Sequence, residues 1–508
     1  MNAIKQQETV ANEVGTAVRH SAVYGLGAIS AKVLGFLMLP VYTRYLNPSD
    51  YGVLEILDLS MSLIGMFLNM GMTAAILRYY NDAAGVQEKR NVISTAFQFV
   101  AASGLLVLCL VLPFVHQISA LVLGANVASK YFLLSFLSFI LGYIANVPRT
   151  YLRAIEASGR FVLLDTAGLF VALILNIVFI VGLKAGLVGI LMSALVVNVA
   201  WLPASVWVVR RVGMVFNWPV LRSMAIFGFP LIFSNLALFG LNFSDRFFLQ
   251  RFRSLDVVGV YAIGYKFAYM LNYLVVQPFN VMWQSRMYVI HANPDHPKIF
   301  DQMFVLYSIL LIYAGLALSL GSSEIVELMV GPKFSASQTV IPIVTLAYIF
   351  CGISCYAQLG MMITKKTSAI GKISVIAACL NLGLNYFLIS RYGMEGAAWA
   401  TMLSFLAIAV GSYWFSQRLL PLPLGVGRVA TALGFALVLY LSSRAWISQP
   451  LMMTLLLKAF LLTIFPLVMW KSGILSRAEI NTLNAGKDRL VSGVSRLVGW
   501  ESRKAVRP

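Results

Sequence analysis

The feature that most constrains this chain is the recurrence, from near its start to about residue 470, of apolar runs of about 20 residues. Crossing about 30 Å of hydrocarbon at about 1.5 Å per residue takes about 20 apolar residues, and the runs meet that length. About fourteen are read, from residues 21–45 through 452–470. All must be helices, because an open strand in lipid leaves backbone groups unpaired and a barrel would show short alternating segments. The expected fold class is an all-α integral membrane protein with about fourteen transmembrane helices.

Composition agrees with that reading. Of 508 residues, 60% are hydrophobic and 11% charged, against about 45–50% and about 25% in soluble domains. A mean hydropathy of +0.83 leaves almost no segment polar enough to make a water-facing exterior. A soluble enzyme and a disordered chain are both excluded. The formal charge of +19 would raise the question of nucleic acid in a soluble protein. Here the Lys and Arg residues sit mostly in short connectors, so the charge reports topology and no nucleic-acid partner is expected. The N-terminus, the even-numbered connectors and the C-terminal tail carry nearly three times as many Lys and Arg as the odd-numbered connectors. This predicts a multi-pass protein of the inner (cytoplasmic) membrane with both termini cytoplasmic and no cleavable signal peptide. The seventh connector, with Arg246, Arg251 and Arg253, breaks the pattern. Cys109, Cys351, Cys355 and Cys379 all lie in apolar runs and read as small core residues.

An internal repeat organises the runs. Arg44-Tyr45, followed by Asp50 and Gly52-Val53, recurs as Arg251-Phe252, Asp256 and Gly259-Val260; Leu175-Asn176 leading to Gly186 recurs as Leu384-Asn385 leading to Gly396. The two offsets nearly coincide. The expected organisation is two six-helix lobes, 1–211 and 212–420, related by a two-fold axis along the membrane normal with a substrate cavity between them. Two additional helices follow over 421–471, then a basic amphipathic tail over 472–508 that opens on a capping-box pattern, Ser476 to Glu479.

No chemistry of bond-making is visible. There is no phosphate-loop motif, the four histidines are scattered, and no nucleophile has a base and an orienting partner. No catalytic residue, metal site or cofactor is expected, which leaves a transporter without its own ATPase. A charge inside a span costs a few kcal/mol or more unless it faces a cavity or a partner. The in-span lysines Lys32 and Lys266 are therefore candidate cavity residues, whereas Lys458, outside the repeat, reads as lateral or interfacial. Asp245 and Arg246 are candidates for coupling or gating. Neighbours on a helix point about 100° apart, so each of the two is expected to need its own partner.

Residues 31–36, Ala-Lys-Val-Leu-Gly-Phe, and 39–52, Leu-Pro-Val-Tyr-Thr-Arg-Tyr-Leu-Asn-Pro-Ser-Asp-Tyr-Gly, resemble the first-helix signature of bacterial polysaccharide flippases. These form the O-antigen and exopolysaccharide (Wzx-type) branch of the multidrug/oligosaccharidyl-lipid/polysaccharide exporter superfamily. Asn242 to Arg246 and Tyr261 to Lys266 extend the resemblance to both lobes. It implies translocation of a polyprenyl-diphosphate-linked oligosaccharide from the inner to the outer leaflet by alternating access, driven by an ion gradient or the membrane potential. Lys32 falls where the related lipid II flippases have an Arg, Lys266 falls near their span-eight Arg, and Met38 replaces a further Arg. The substrate-binding set expected from the resemblance and from the in-span charges is Lys32, Lys266 and Arg44. Implied partners are the lipid-linked oligosaccharide, membrane lipids, and a polysaccharide polymerase with other assembly proteins. A multidrug exporter of the same superfamily and a polytopic membrane glycosyltransferase or ligase are the rival readings.

Overall fold

The structure, a computed structural model, describes residues 35–445, 451–476 and 479. Among these residues every regular element is a helix. Eleven helices are long and apolar enough to cross a membrane. The difference from fourteen is located at three places. The first run lies mostly outside the described residues. The region 255–291 is interrupted by a π-helical turn, Asn272–Val276, between the helices Leu255–Leu271 and Gln277–His291. The runs at 368–390 and 397–417 join into one 52-residue helix, Ser368–Leu419. At about 1.5 Å per residue that helix is about 78 Å of path, far more than one crossing. Gly393, at φ 58° and ψ −131°, breaks it.

The chain divides into two compact units. The first comprises residues 1–263, 325–337 and 382–397. Its centre is the helix Ser129–Ala154, which packs on Gly186–Ala200, Val86–Val111 and Met72–Asp82. Met72, Ala75, Ile93, Ala96, Val208 and Met224 are almost wholly buried in one cluster with Tyr143 and Tyr151. The helix Pro48–Asn69 starts on a reciprocal cap, in which the Asn47 N–H donates to Asp50 Oδ2 at 3.2 Å and the Asn47 side chain accepts from the Asp50 backbone. It ends where Met70 and Gly71 both take left-handed conformations, φ 42° and 67°, and the helix Met72–Asp82 follows. At that break the Gly228 backbone comes so close that a Cβ on Gly71 would stand 2.7 Å from its Cα.

The seventh connector is explained within this unit. The Arg253 guanidinium donates to the carbonyl oxygens of Ser390 and Arg391, both at 3.0 Å, and Arg246 is buried. Two of its three arginines therefore serve packing.

The second unit comprises residues 264–324, 338–381 and 398–508. The helix His296–Leu320 packs on Val340–Ala357 and Val426–Arg444. Trp283, Phe300, Tyr307 and Tyr356 form an aromatic core with Phe279, and the Tyr356 hydroxyl donates to the Phe300 carbonyl at 2.7 Å. Arg428 pairs with Asp301 at 2.6 Å and with the buried Glu479 at 2.9 Å. The expected capping box is present: the Ser476 N–H donates to Glu479 Oε2 at 2.6 Å and the Glu479 N–H to Ser476 Oγ at 3.3 Å. The amphipathic helix expected after it lies outside the described residues. Lys458 is half-buried and paired. Its ammonium donates to Glu324 at 2.6 and 2.8 Å and to the Ser323 hydroxyl at 3.0 Å, because a helix-borne cation in apolar surroundings takes the nearest carboxylate rather than remain unpaired.

Candidate functional site

Two arrangements of polar groups stand out in the first unit, and both are costly unless used or satisfied. One is a buried charge cluster. Asp245 and Arg246, on the helix Trp218–Phe252, are 2% and 1% exposed. Besides a separate partner for each, the Arg246 side chain folds back onto its neighbour: Nη1 donates to Asp245 Oδ1 at 2.7 Å and to the Asn242 carbonyl at 2.8 Å. The flexible guanidinium stem overcomes the angular separation of the two Cβ atoms. Glu55 Oε1, from the helix Pro48–Asn69, approaches Arg246 Nε at 3.7 Å, and the Tyr261 hydroxyl donates to Asp245 Oδ2 at 2.5 Å. Arg246 also lies over the Tyr261 ring, 5.1 Å from its centroid. Removing a single member would strand the others in a low-dielectric interior.

The other arrangement is a pair of adjoining cavities of opposite character. A polar cavity of about 560 Å³ is lined by Asn69, Asn146, Asn198 and Asn235, with Ser62, Ser138 and Arg149 among the other contributors. A second, of about 1000 Å³, is mainly apolar, with Phe97, Phe99, Leu105, Met214, Phe216 and Trp218 among its walls. Asn69 and Gly71 line the first and Met70 the second, so the helix break at Met70-Gly71 separates them. Arg149 is held in place by its neighbours. Its guanidinium stacks on Trp201, 4.3 Å from the ring centroid, and Nε lies 3.5 Å from Asp165 Oδ1.

The residues singled out from sequence fall in different places. Asp245 and Arg246 come together in the charge cluster. Arg44 is exposed in the last turn of the helix Leu39–Tyr45, in the first unit. Lys266 is an exposed position between the buried Tyr265 and Phe267, in the second unit. Lys32 lies outside the described residues. Sequence reasoning left the roles of Glu55 and Tyr261 open and overlooked the four cavity asparagines. An amide within an apolar run needs a partner or a cavity as surely as a charge does, and that signal was present at each position.

The fold is shared with solved transporters. At a TM-score of 0.69 and 13% identity, 90% of this chain and 100% of the other match a lipid II flippase MurJ in an inward closed conformation. At 0.59 and 13%, 79% of this chain and 95% of the other match an inward-facing multidrug resistance MATE family transporter of the MOP superfamily. A further MATE structure in a straight conformation matches at 0.52 and 14%, over 82% of this chain and 96% of that one. No curated protein matches. The class is thus a multi-pass membrane protein of the MurJ/MATE fold. Within it, residues 17–283 match the model of the polysaccharide biosynthesis protein family, and the chain belongs to that family.

Proposed function

We propose that this protein moves a polyprenyl-diphosphate-linked oligosaccharide from the inner to the outer leaflet by alternating access. The observation that carries the reading is the pair of adjoining cavities, one polar and one apolar, in a chain of the polysaccharide biosynthesis family. Such a cargo joins a hydroxyl-rich glycan to a long hydrocarbon, and a site that takes both parts must offer both kinds of wall. Lys32, Lys266 and Arg44 supply cations for the diphosphate, and the cluster of Asp245, Arg246 and Glu55 supplies the element whose charge state couples transport to an ion gradient or the membrane potential. The polymerase and other assembly proteins act on the cargo after it has crossed.

Deletion of the gene tests the reading in cells. Surface polysaccharide should disappear while the lipid-linked glycan accumulates on the cytoplasmic leaflet, and re-expression of the chain should restore export. Unchanged export in the deletion strain, or accumulation of the free sugar precursor instead, would contradict it.

A further inference from the structure

The amide-lined cavity of the first unit has a more specific chemistry than passage of polar cargo requires. Asparagine carries two donors and an acceptor, as a sugar hydroxyl is both donor and acceptor, so a set of asparagines matches a polyol. The amides are held by the protein itself. Asn146 donates to Thr73 Oγ1 at 2.8 Å, and Asn198 donates to the carbonyl and hydroxyl oxygens of Ser138 at 3.1 and 3.0 Å. These bonds fix the plane of each amide, so that its carbonyl oxygen stands as an oriented acceptor. A Cβ placed on Gly142, which lines the same cavity, would meet Asn198 Oδ1 at 3.2 Å. The absence of a side chain at residue 142 is what lets the Asn198 amide sit there, since a Cβ would also crowd its Nδ2 at 3.3 Å. At about 560 Å³ this open cleft falls within the range, about 300–1,000 Å³, of the clefts and cavities that take small ligands. Arg149, fixed against Trp201 and Asp165, adds a rigid donor to the wall.

We infer that this cavity is a saccharide subsite, in which Asn146, Asn198 and Asn235 read the hydroxyls of a neutral sugar ring and Gly142 gives the Asn198 amide its place. The inference rests on the flippase reading for its biological meaning, but its test does not. The purified full-length chain, cysteine-free except for a cysteine introduced at the exposed cavity position by Ser62→Cys, is alkylated with a maleimide in the presence of maltose, cellobiose or N,N′-diacetylchitobiose. At least one of these neutral disaccharides should slow alkylation several-fold. Gly142→Val in the same background should abolish the protection, and Asn198→Ala should weaken it about three- to tenfold, the worth of one hydrogen bond. Fold integrity of each variant is read from a single symmetric gel-filtration peak and a cooperative unfolding transition in detergent. Failure of all three sugars to protect, or protection that survives Gly142→Val in a folded protein, overturns the subsite. Protection in a protein that moves no lipid-linked glycan would uphold the subsite and refute the flippase reading; transport with no protection would do the reverse.

Discussion

Gly52 and Gly259, which occupy equivalent places in the internal repeat, meet each other in the structure. A Cβ on Gly52 would run into the Leu255 carbonyl and come within 3.2 Å of the Gly259 nitrogen, and a Cβ on Gly259 would run into the Pro48 carbonyl and come within 3.0 Å of the Gly52 nitrogen. The helices Pro48–Asn69 and Leu255–Leu271 therefore touch backbone to backbone at their first turns, the close approach that small residues permit between membrane helices. Gly52→Val should force the two apart and cost about 1–3 kcal/mol or more. The check is thermal unfolding in detergent, where Gly52→Val and Gly259→Val should each lower the midpoint. The double variant should cost less than the sum, since both disrupt one contact; full additivity would deny the contact.

Asp245→Asn should leave Arg246 facing a neutral amide in a buried site and remove a group able to change charge during transport. Reconstituted transport should lose its dependence on the imposed proton or sodium gradient, with expression largely kept. Full transport with unchanged gradient dependence would assign the cluster to structure alone.

The pair of Lys458 and Glu324 makes a pH prediction. Burial pushes the Glu324 carboxyl up, but the Lys458 ammonium and the Ser323 hydroxyl together outweigh it and hold the group below its ordinary value of 4.5. A depressed carboxyl contributes stability that is complete above its unfolded value and is lost as pH falls through the folded one. Glu324→Gln should therefore lower the unfolding midpoint near neutral pH by an amount equivalent to about 1–3 kcal/mol. That difference from the native protein should shrink steadily below about pH 4.5. Lys458→Gln should not be silent, as its position outside the repeat had suggested; a midpoint equal to that of the native protein would contradict the pairing.

Single cysteines introduced by Ser49→Cys and Ser368→Cys in a cysteine-free variant should react with an impermeant maleimide from opposite faces of the membrane. The connector charge distribution requires it, since Ser49 opens the helix Pro48–Asn69 and Ser368 opens Ser368–Leu419. Labelling from one face would overturn the topology.

Legibility of the sequence varied with the range of the interaction. Helices were readable because hydropathy and length are local, and the reciprocal bonds of Ser476 and Glu479 were readable because a capping box spans one turn. Span boundaries were less so. No local signal announces that the backbone would run on from Ser390 to Ala397 with only Gly393 bending it, or that a π-helical turn would fall at Asn272–Val276. The charge pair Asp245 and Arg246 was visible as a cost, but not its solution, because Glu55 arrives from far along the chain and Tyr261 from the next helix. The polar cavity went unread for a different reason: attention to charges passed over Asn69, Asn146, Asn198 and Asn235, whose burden in an apolar run is smaller individually and comparable together.

Lys32 and Lys266 carry the finer claim about the diphosphate. At an effective dielectric constant of about 20, each cation about 4 Å from a phosphate contributes on the order of 4 kcal/mol of attraction before desolvation. Lys32→Gln and Lys266→Gln should each reduce surface glycan sharply at normal protein abundance, and Lys→Arg should retain part of it. Normal export by the double Gln variant would remove both from the binding set.

The central claim is that the protein moves a lipid-linked oligosaccharide, and reconstitution tests it most directly. The purified chain is incorporated into proteoliposomes containing a polyprenyl-diphosphate-linked oligosaccharide, and a membrane-impermeant glycan-modifying enzyme reports which leaflet the cargo occupies. The account predicts that cargo from the inner leaflet becomes accessible outside only when the protein is present, and that a cationic dye typical of multidrug carriers is not moved. Cargo that stays as protected as in protein-free vesicles under every imposed gradient, with the dye transported instead, would contradict the account.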